Sequence, residues 1–153
     1  MGFTQPACGY LWKSEIHNSG MILNKKDYTN PAIEAEFGVI LKRDIKPDLA
    51  SFDYILQSIE GIYPLIEIHN LVFYGNEPYG AELLANNAIH AGVVLGSETK
   101  LPQDKIETDL KLIYDKGGID TWVNKIWPLD MLSEIEWLVK ERAKTNNYLK
   151  KGD

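Results

Sequence analysis

Apolar and polar residues alternate from Ile33 to Leu41. In an extended strand, successive side chains point to opposite faces. Ile33, Ala35, Phe37, Val39 and Leu41 then form one apolar face, and Glu34 and Glu36 share the other, with Cβ atoms roughly 7 Å apart by strand rise. The strand is expected to end at Arg43-Asp44-Ile45-Lys46-Pro47, where proline stops regular pairing. Leu49, Phe52, Leu56 and Ile59 follow at helical spacing with Ile55 beside them, which predicts an amphipathic helix of about three turns closed by Gly61 as a left-handed cap. Tyr63-Pro64-Leu65-Ile66-Glu67-Ile68-His69 reads as a second, more apolar strand.

The remaining elements follow from the same periodicities. Before residue 31 the Gly- and Asn-rich sequence predicts short strands and loops, residues 21–23 being one such strand. Gly75-Asn76-Glu77-Pro78-Tyr79-Gly80 is rich in turn formers. A short helix over 81–88 and a strand over 89–95 come next. Alternation at Leu110, Leu112 and Tyr114 and again at Ile119, Thr121 and Val123, around Lys116-Gly117-Gly118, predicts a hairpin. Leu132, Ile135, Leu138 and Val139 line one face of a last helix from about Leu129, with Pro128 suited to its start. Strands outnumber helices without strict alternation, and no Gly-x-Gly-x-x-Gly or Walker-type loop occurs. The expected class is α+β, a mixed β-sheet with a few flanking helices in a single domain over 1–153, and not a doubly wound dinucleotide fold.

The formal charge of −6 and a pI near 5.1 argue against general nucleic-acid binding, which needs a basic face. Lys140, Arg142, Lys144, Lys150 and Lys151 cluster near the C-terminus and read as a solvated helix face and tail. Cys8 is the one cysteine, so no intrachain disulfide can form; a reducing cytoplasm is the natural setting, and the thiol is expected to be half-buried and structural. No apolar run is long enough to span a bilayer.

Candidate chemistry centres on carboxylates. Glu34 and Glu36 repel one another unless a cation or solvent separates them. Glu67 lies 31 residues beyond Glu36 in a strand where an unpaired carboxylate would be costly. Three glutamates, with no cysteine or histidine in the set, favour a hard divalent cation, Mg2+ or Mn2+, over zinc. The same Glu-x-Glu pattern also suits the wet face of a half-exposed strand. His69, two residues past Glu67 on the same face, is placed to bond a substrate carboxylate or to act as acid or base. His90, in an apolar strand, reads as a core histidine, and His17 as a solvated one. Trp12, Trp122, Trp127 and Trp137 suit core packing or a subunit interface better than a ligand pocket.

Several segments resemble the 2-keto-4-pentenoate hydratases of the fumarylacetoacetate hydrolase superfamily. Pro31-Ala32-Ile33-Glu34-Ala35-Glu36-Phe37 and Leu41-Lys42-Arg43-Asp44-Ile45 resemble that family's central metal-binding strand. Gln5-Pro6-Ala7-Cys8-Gly9-Tyr10-Leu11 resembles its pre-site segment, and Pro64-Leu65-Ile66-Glu67 its third-ligand strand. Ala85-Asn86-Asn87-Ala88 and Gly92-Val93-Val94-Leu95-Gly96 resemble its Ala-Asp-Asn-Ala helix end and following strand, and Leu149-Lys150-Lys151-Gly152-Asp153 the approach to its last catalytic strand.

The resemblance implies a mixed sheet of the β-roll type and a homo-oligomer. It implies Glu34, Glu36 and Glu67 as ligands of Mg2+ or Mn2+, and Asn86 and Asn87 near the site, orienting water or substrate or else capping a helix. It implies a hydro-lyase that takes a small 2-oxo acid of the 2-hydroxypenta-2,4-dienoate type through an enolate. Acylpyruvate hydrolysis and 2-oxo acid decarboxylation belong to the same superfamily, and a non-catalytic binding or assembly relative is a further alternative. Family members extend beyond this chain at both ends and carry an upstream catalytic lysine in a segment that Lys13, Lys25 and Lys26 do not match. The chain is therefore expected to be a fragment or a shortened relative.

Overall fold

A computed structural model describes residues 6–75, 79–99, 106–127 and 129–153, with backbone alone at 106–110, 119, 120, 122 and 124–127. Its strands are β1 (Ile16–Asn18), β2 (Pro31–Leu41), β3 (Ile59–Asn70), β4 (His90–Leu95), β5 (Ile106–Tyr114) and β6 (Gly117–Trp127). Its helices are α1 (Phe52–Ser58), α2 (Ala81–Ala85) and α3 (Leu129–Ala143). β1 to β4 form one sheet in the order β1-β4-β3-β2, and β5 and β6 form a separate hairpin. β1 runs parallel to β4 and β3 antiparallel to it, so the sheet is mixed and the class α+β, as expected. No described helix is long and apolar enough to cross a membrane.

The chain divides into two compact units, residues 1–38 with 63–97, and 39–62 with 98–153. Among the described residues, the second holds most of the buried apolar side chains: Leu41, Ile45, Ile55, Ile59, Ile62, Leu132, Ile135, Val139 and Leu149. Leu132, Ile135 and Val139 recur at helical spacing on α3, which explains why that helix forms where the periodicity places it. The C-terminal segment is tied to the end of β2 by Gly152 N–H donating to Leu41 C=O at 2.8 Å and Ile45 N–H donating to Leu149 C=O at 2.8 Å. Ser58, fully buried, accepts from Arg43 Nε at 2.8 Å and donates to Tyr54 C=O at 2.6 Å, and the Arg43 guanidinium lies 4.2 Å from the Tyr54 ring centroid. A buried hydroxyl is thereby satisfied on both sides.

Local readings differ from the structure at four places. Residues 21–23 are not a strand. The helix expected over three turns is α1, two turns capped by Ser51, whose side chain accepts from Tyr54 N–H; Pro47–Leu49 forms a separate 3-10 turn before it. Gly61 does not cap a helix. It lies inside β3, where a Cβ would come within 2.8 Å of the Glu98 carboxylate, so close approach is what requires it. The hairpin turns at Asp115 and Lys116, both with positive φ (45° and 66°), and Gly117 already pairs with Tyr114. Two positive φ angles give the turn the twist that two-residue hairpins need. Pro128 and the side chains of Trp122 and Trp127 lie outside the described residues.

Candidate metal centre

The first unit carries every candidate site residue. β2 presents Glu34 and Glu36 on one face, as its alternation predicts, and β3, its neighbour in the sheet, presents Glu67 and His69. One ligand atom each of Glu34, Glu67 and His69 fall within 4.8 Å of one another. His69 Nε2 stands 3.2 Å from Glu67 Oε2, and its Nδ1 4.0 Å from Glu34 Oε1. Glu36 belongs to the same electrostatic cluster without being one of that tight set. Loss of hydration, then the Glu67 and Glu34 charges, hold its carboxyl above the usual carboxylate pKa, and His69 partly opposes them.

His90 joins this face through a β-bulge. Glu67 pairs with Val93 and Ile68 with Gly92, but His69 pairs with His90, leaving Ala91 as the extra residue on β4. In continuous register Ala91 would face His69, and His90 would point to the opposite side. Gly92 makes the bulge possible: its φ is 137°, and a Cβ there would lie 2.9 Å from Glu15 C=O. His90 Nδ1 bonds Glu67 Oε1 at 2.6 Å. Its Nε2 is buried, makes no hydrogen bond, and lies 3.6 Å from Glu15 Oε2, which accepts from Trp12 N–H at 3.0 Å. His90, expected as a core histidine, is nearly buried at 9% side-chain exposure and bonds Glu67. Glu15 and His90 were both missed from sequence: a glycine inside a strand pattern is the signal that points to the bulge, whereas nothing local marks Glu15.

Asn86 and Asn87 end α2. Asn86 is its C-cap through backbone bonds. Asn87, Ala88 and Ile89 follow with positive φ (50°, 56°, 61°), a conformation that costs non-glycine residues roughly 1–2 kcal/mol each. What holds this turn is the Asn87 amide, which accepts from Tyr10 N–H at 2.9 Å and donates to Tyr10 C=O at 2.7 Å. Gly9 is required beside it, since a Cβ would fall 2.0 Å from Asn87 Oδ1. This clamp fixes the segment at residues 7–11 against a cavity of about 300 Å3, lined among others by Cys8, Tyr10, Leu84, Asn87, Glu67 and His90. Cys8 is exposed, not half-buried as expected. Trp12 is exposed and stacks on Tyr10 with centroids 5.9 Å apart, and Trp137 is half-buried on α3.

The donor set fits a divalent cation. Two carboxylates and an imidazole converge, Glu36 feels the charge of both glutamates, a cation would remove that repulsion, and Glu67 is held on its other oxygen by His90.

No family model matches the chain. Two solved structures of 4-oxalocrotonate decarboxylase from Pseudomonas putida, one complexed with magnesium and adipate and the other with calcium and acetate, superpose with TM-scores of 0.80 and 0.72. Each is 16% identical, covers 94% of this chain, and is itself covered over 56% and 55%. The fold is therefore the one these decarboxylase structures share. In sequence, the chain is 26% identical over 155 positions to the TodF product hydratase of Pseudomonas putida, an alignment taking in all of this chain and 58% of the hydratase. The chain spans a little over half the length of the proteins it matches.

Proposed function

We propose that this chain forms part of a divalent-metal-dependent hydratase acting on a small 2-oxo acid of the 2-hydroxypenta-2,4-dienoate type. The observation that carries the reading is the convergence of Glu34, Glu67 and His69, with Glu36 coupled to them, beside a cavity that shares Glu67. When bound, Mg2+ or Mn2+ would supply Lewis-acid stabilisation to the charge that a 2-oxo acid develops as its enolate. Glu34, Glu36 and Glu67 would hold the ion, and His90 would keep the Glu67 carboxylate in place. His69 stands where it can ligate the ion, meet the substrate carboxylate or move a proton. The Asn87–Tyr10 clamp shapes the cavity for the tail of the acid. With both ends of its amide held by Tyr10, Asn87 acts on substrate through position, and Asn86 closes α2 beside it.

Decarboxylation of a 2-oxo acid is the second reading, favoured by the structural likeness to the decarboxylase. Acylpyruvate hydrolysis, or a non-catalytic binding role, is supported less directly. Homo-oligomerisation is part of the proposal, supported by the exposure of Leu11, Trp12, Met21 and Ile22, the last at 92%. A cytoplasmic setting accords with one exposed free thiol. The test is to follow 2-hydroxypenta-2,4-dienoate by absorbance, and 4-oxalocrotonate by carbon dioxide release, with Mg2+ or Mn2+. Metal-dependent loss of the dienoate, abolished in Glu67→Gln, is expected; carbon dioxide release alone would establish the decarboxylase reading, and turnover of neither would remove both.

A further inference from the structure

We propose that the cavity beside the carboxylates selects a 2-oxo acid whose far end is an uncharged apolar group, and rejects one that ends in a second carboxylate. The inference rests on the metal-site reading above, since Glu67 lines this cavity, and it narrows the substrate class of that site.

The wall is apolar and open. Tyr10, Leu11 and Leu84 line it and are 61%, 48% and 49% exposed, and the buried Val93 lines it too. Large apolar side chains left in water around one hollow are surface that a hydrophobic ligand would cover. The volume of about 300 Å3 is roughly twice that of an engineered apolar cavity that holds benzene. The three-carbon end of 2-hydroxypenta-2,4-dienoate would fill only part of it, so a longer alkyl or an aryl substituent has room.

The polar groups of the wall are engaged elsewhere. Asn87 spends its amide on Tyr10, accepting from the N–H and donating to the C=O. His90 holds Glu67 through Nδ1, and its Nε2 is buried out of a ligand's reach. Lysine and arginine do not occur among the described lining residues, and Glu67 is itself a carboxylate. A second carboxylate on the ligand would therefore exchange its water for apolar surface and the repulsion of Glu67. A methylene in the same place gains about fourfold in affinity by leaving water. The two effects act in opposite directions on acids of equal length, which makes the selectivity measurable.

The wall carries its own reporter. Cys8 is the one cysteine of the chain, is exposed, and lines this cavity. Oxalate, 2-oxobutanoate, 2-oxohexanoate and 2-oxohexanedioate are titrated calorimetrically into the full chain with Mn2+ present. At saturation with each acid, alkylation of Cys8 by the uncharged reagent N-ethylmaleimide is timed. Affinity should rise about fifteenfold from 2-oxobutanoate to 2-oxohexanoate, two methylenes apart. The dicarboxylate should bind at least about tenfold more weakly than 2-oxohexanoate. Cys8 should be shielded by 2-oxohexanoate and not by oxalate, which has no tail. Leu84→Lys, an exposed change on α2 with the fold checked by circular dichroism, should narrow the gap between the two six-carbon acids by about fivefold. Equal affinity for the short and long acids, a dicarboxylate that binds as tightly as 2-oxohexanoate, or bound 2-oxohexanoate that leaves Cys8 unshielded overturns this inference; oxalate binding with Mn2+ then leaves the metal-site reading standing. Failure of oxalate and of every 2-oxo acid to bind with Mn2+ overturns both.

Discussion

Glu15, His90, Glu67, His69 and Glu34 stand in a row whose successive separations are 3.6, 2.6, 3.2 and 4.0 Å. Glu67 is at its centre, with one histidine on each oxygen, so the row orients this carboxylate more firmly than either of the other glutamates. Glu36 stands beside the row and bears its electrostatic cost. Its pKa is raised above 4.5 by loss of hydration and by Glu67 and Glu34. A carboxyl with a raised folded-state pKa binds more protons folded than unfolded. Stability therefore falls as pH rises from about 4.5 through the folded value. Glu36→Gln should accordingly raise the melting midpoint of the metal-free chain at pH 7, flatten the decline above pH 4.5, and diminish the stabilisation that Mn2+ provides. Thermal denaturation across pH, with and without Mn2+, measures this; a lower metal-free midpoint at pH 7 would contradict it.

At the scale of elements, β4 shows what alternation can and cannot reveal. The two faces of β2 are readable from Ile33 to Leu41 because each position is set by its neighbours in sequence. The face of His90 is not, because a single extra residue, Ala91, reverses it, and the bulge is defined by the partner strand. Gly61 and Gly117 show the same limit. Their stop-like or turn-like appearance reflects a close approach by Glu98 in one case and strand pairing behind an Asp115-Lys116 turn in the other. His69 was legible as a neighbour of Glu67 by periodicity; its membership of a tight group with Glu34 was not, since it depends on the placement of β2 beside β3. The bulge yields a test. Gly92→Ala forces a φ of 137° on alanine and a Cβ against Glu15 C=O. It should cost about 1–3 kcal/mol, seen as a drop of several degrees in melting midpoint, and weaken Mn2+ binding by displacing His90 from Glu67. Gly118→Ala, which meets nothing within 4 Å, should change neither. Equal effects from both substitutions would remove the special role of the bulge.

Over the whole molecule, burial and chemistry are unevenly shared. Among the described residues, the unit of residues 39–62 and 98–153 holds nine of the twelve buried apolar side chains, and the unit with the carboxylates and histidines holds Ile68, Leu83 and Val93. A thin core is a poor foundation for a cluster of like charges, and a cation bound among Glu34, Glu67 and His69 would add the cohesion that buried area does not supply. The mixed sheet and the class of the fold were readable from the order of strands and helices, and the segments that resemble the hydratases agree with the 26% identity to one of them. The division into two units was not, because β2 and β3 each contribute residues to both. Calorimetric titration of oxalate, a minimal mimic of a chelating 2-oxo acid, into the full chain tests the central claim most directly. Saturable one-site binding in the presence of Mn2+, abolished by a chelator and by Glu67→Gln, is the predicted result; oxalate binding of equal strength with and without the metal, or none in either condition, would contradict it.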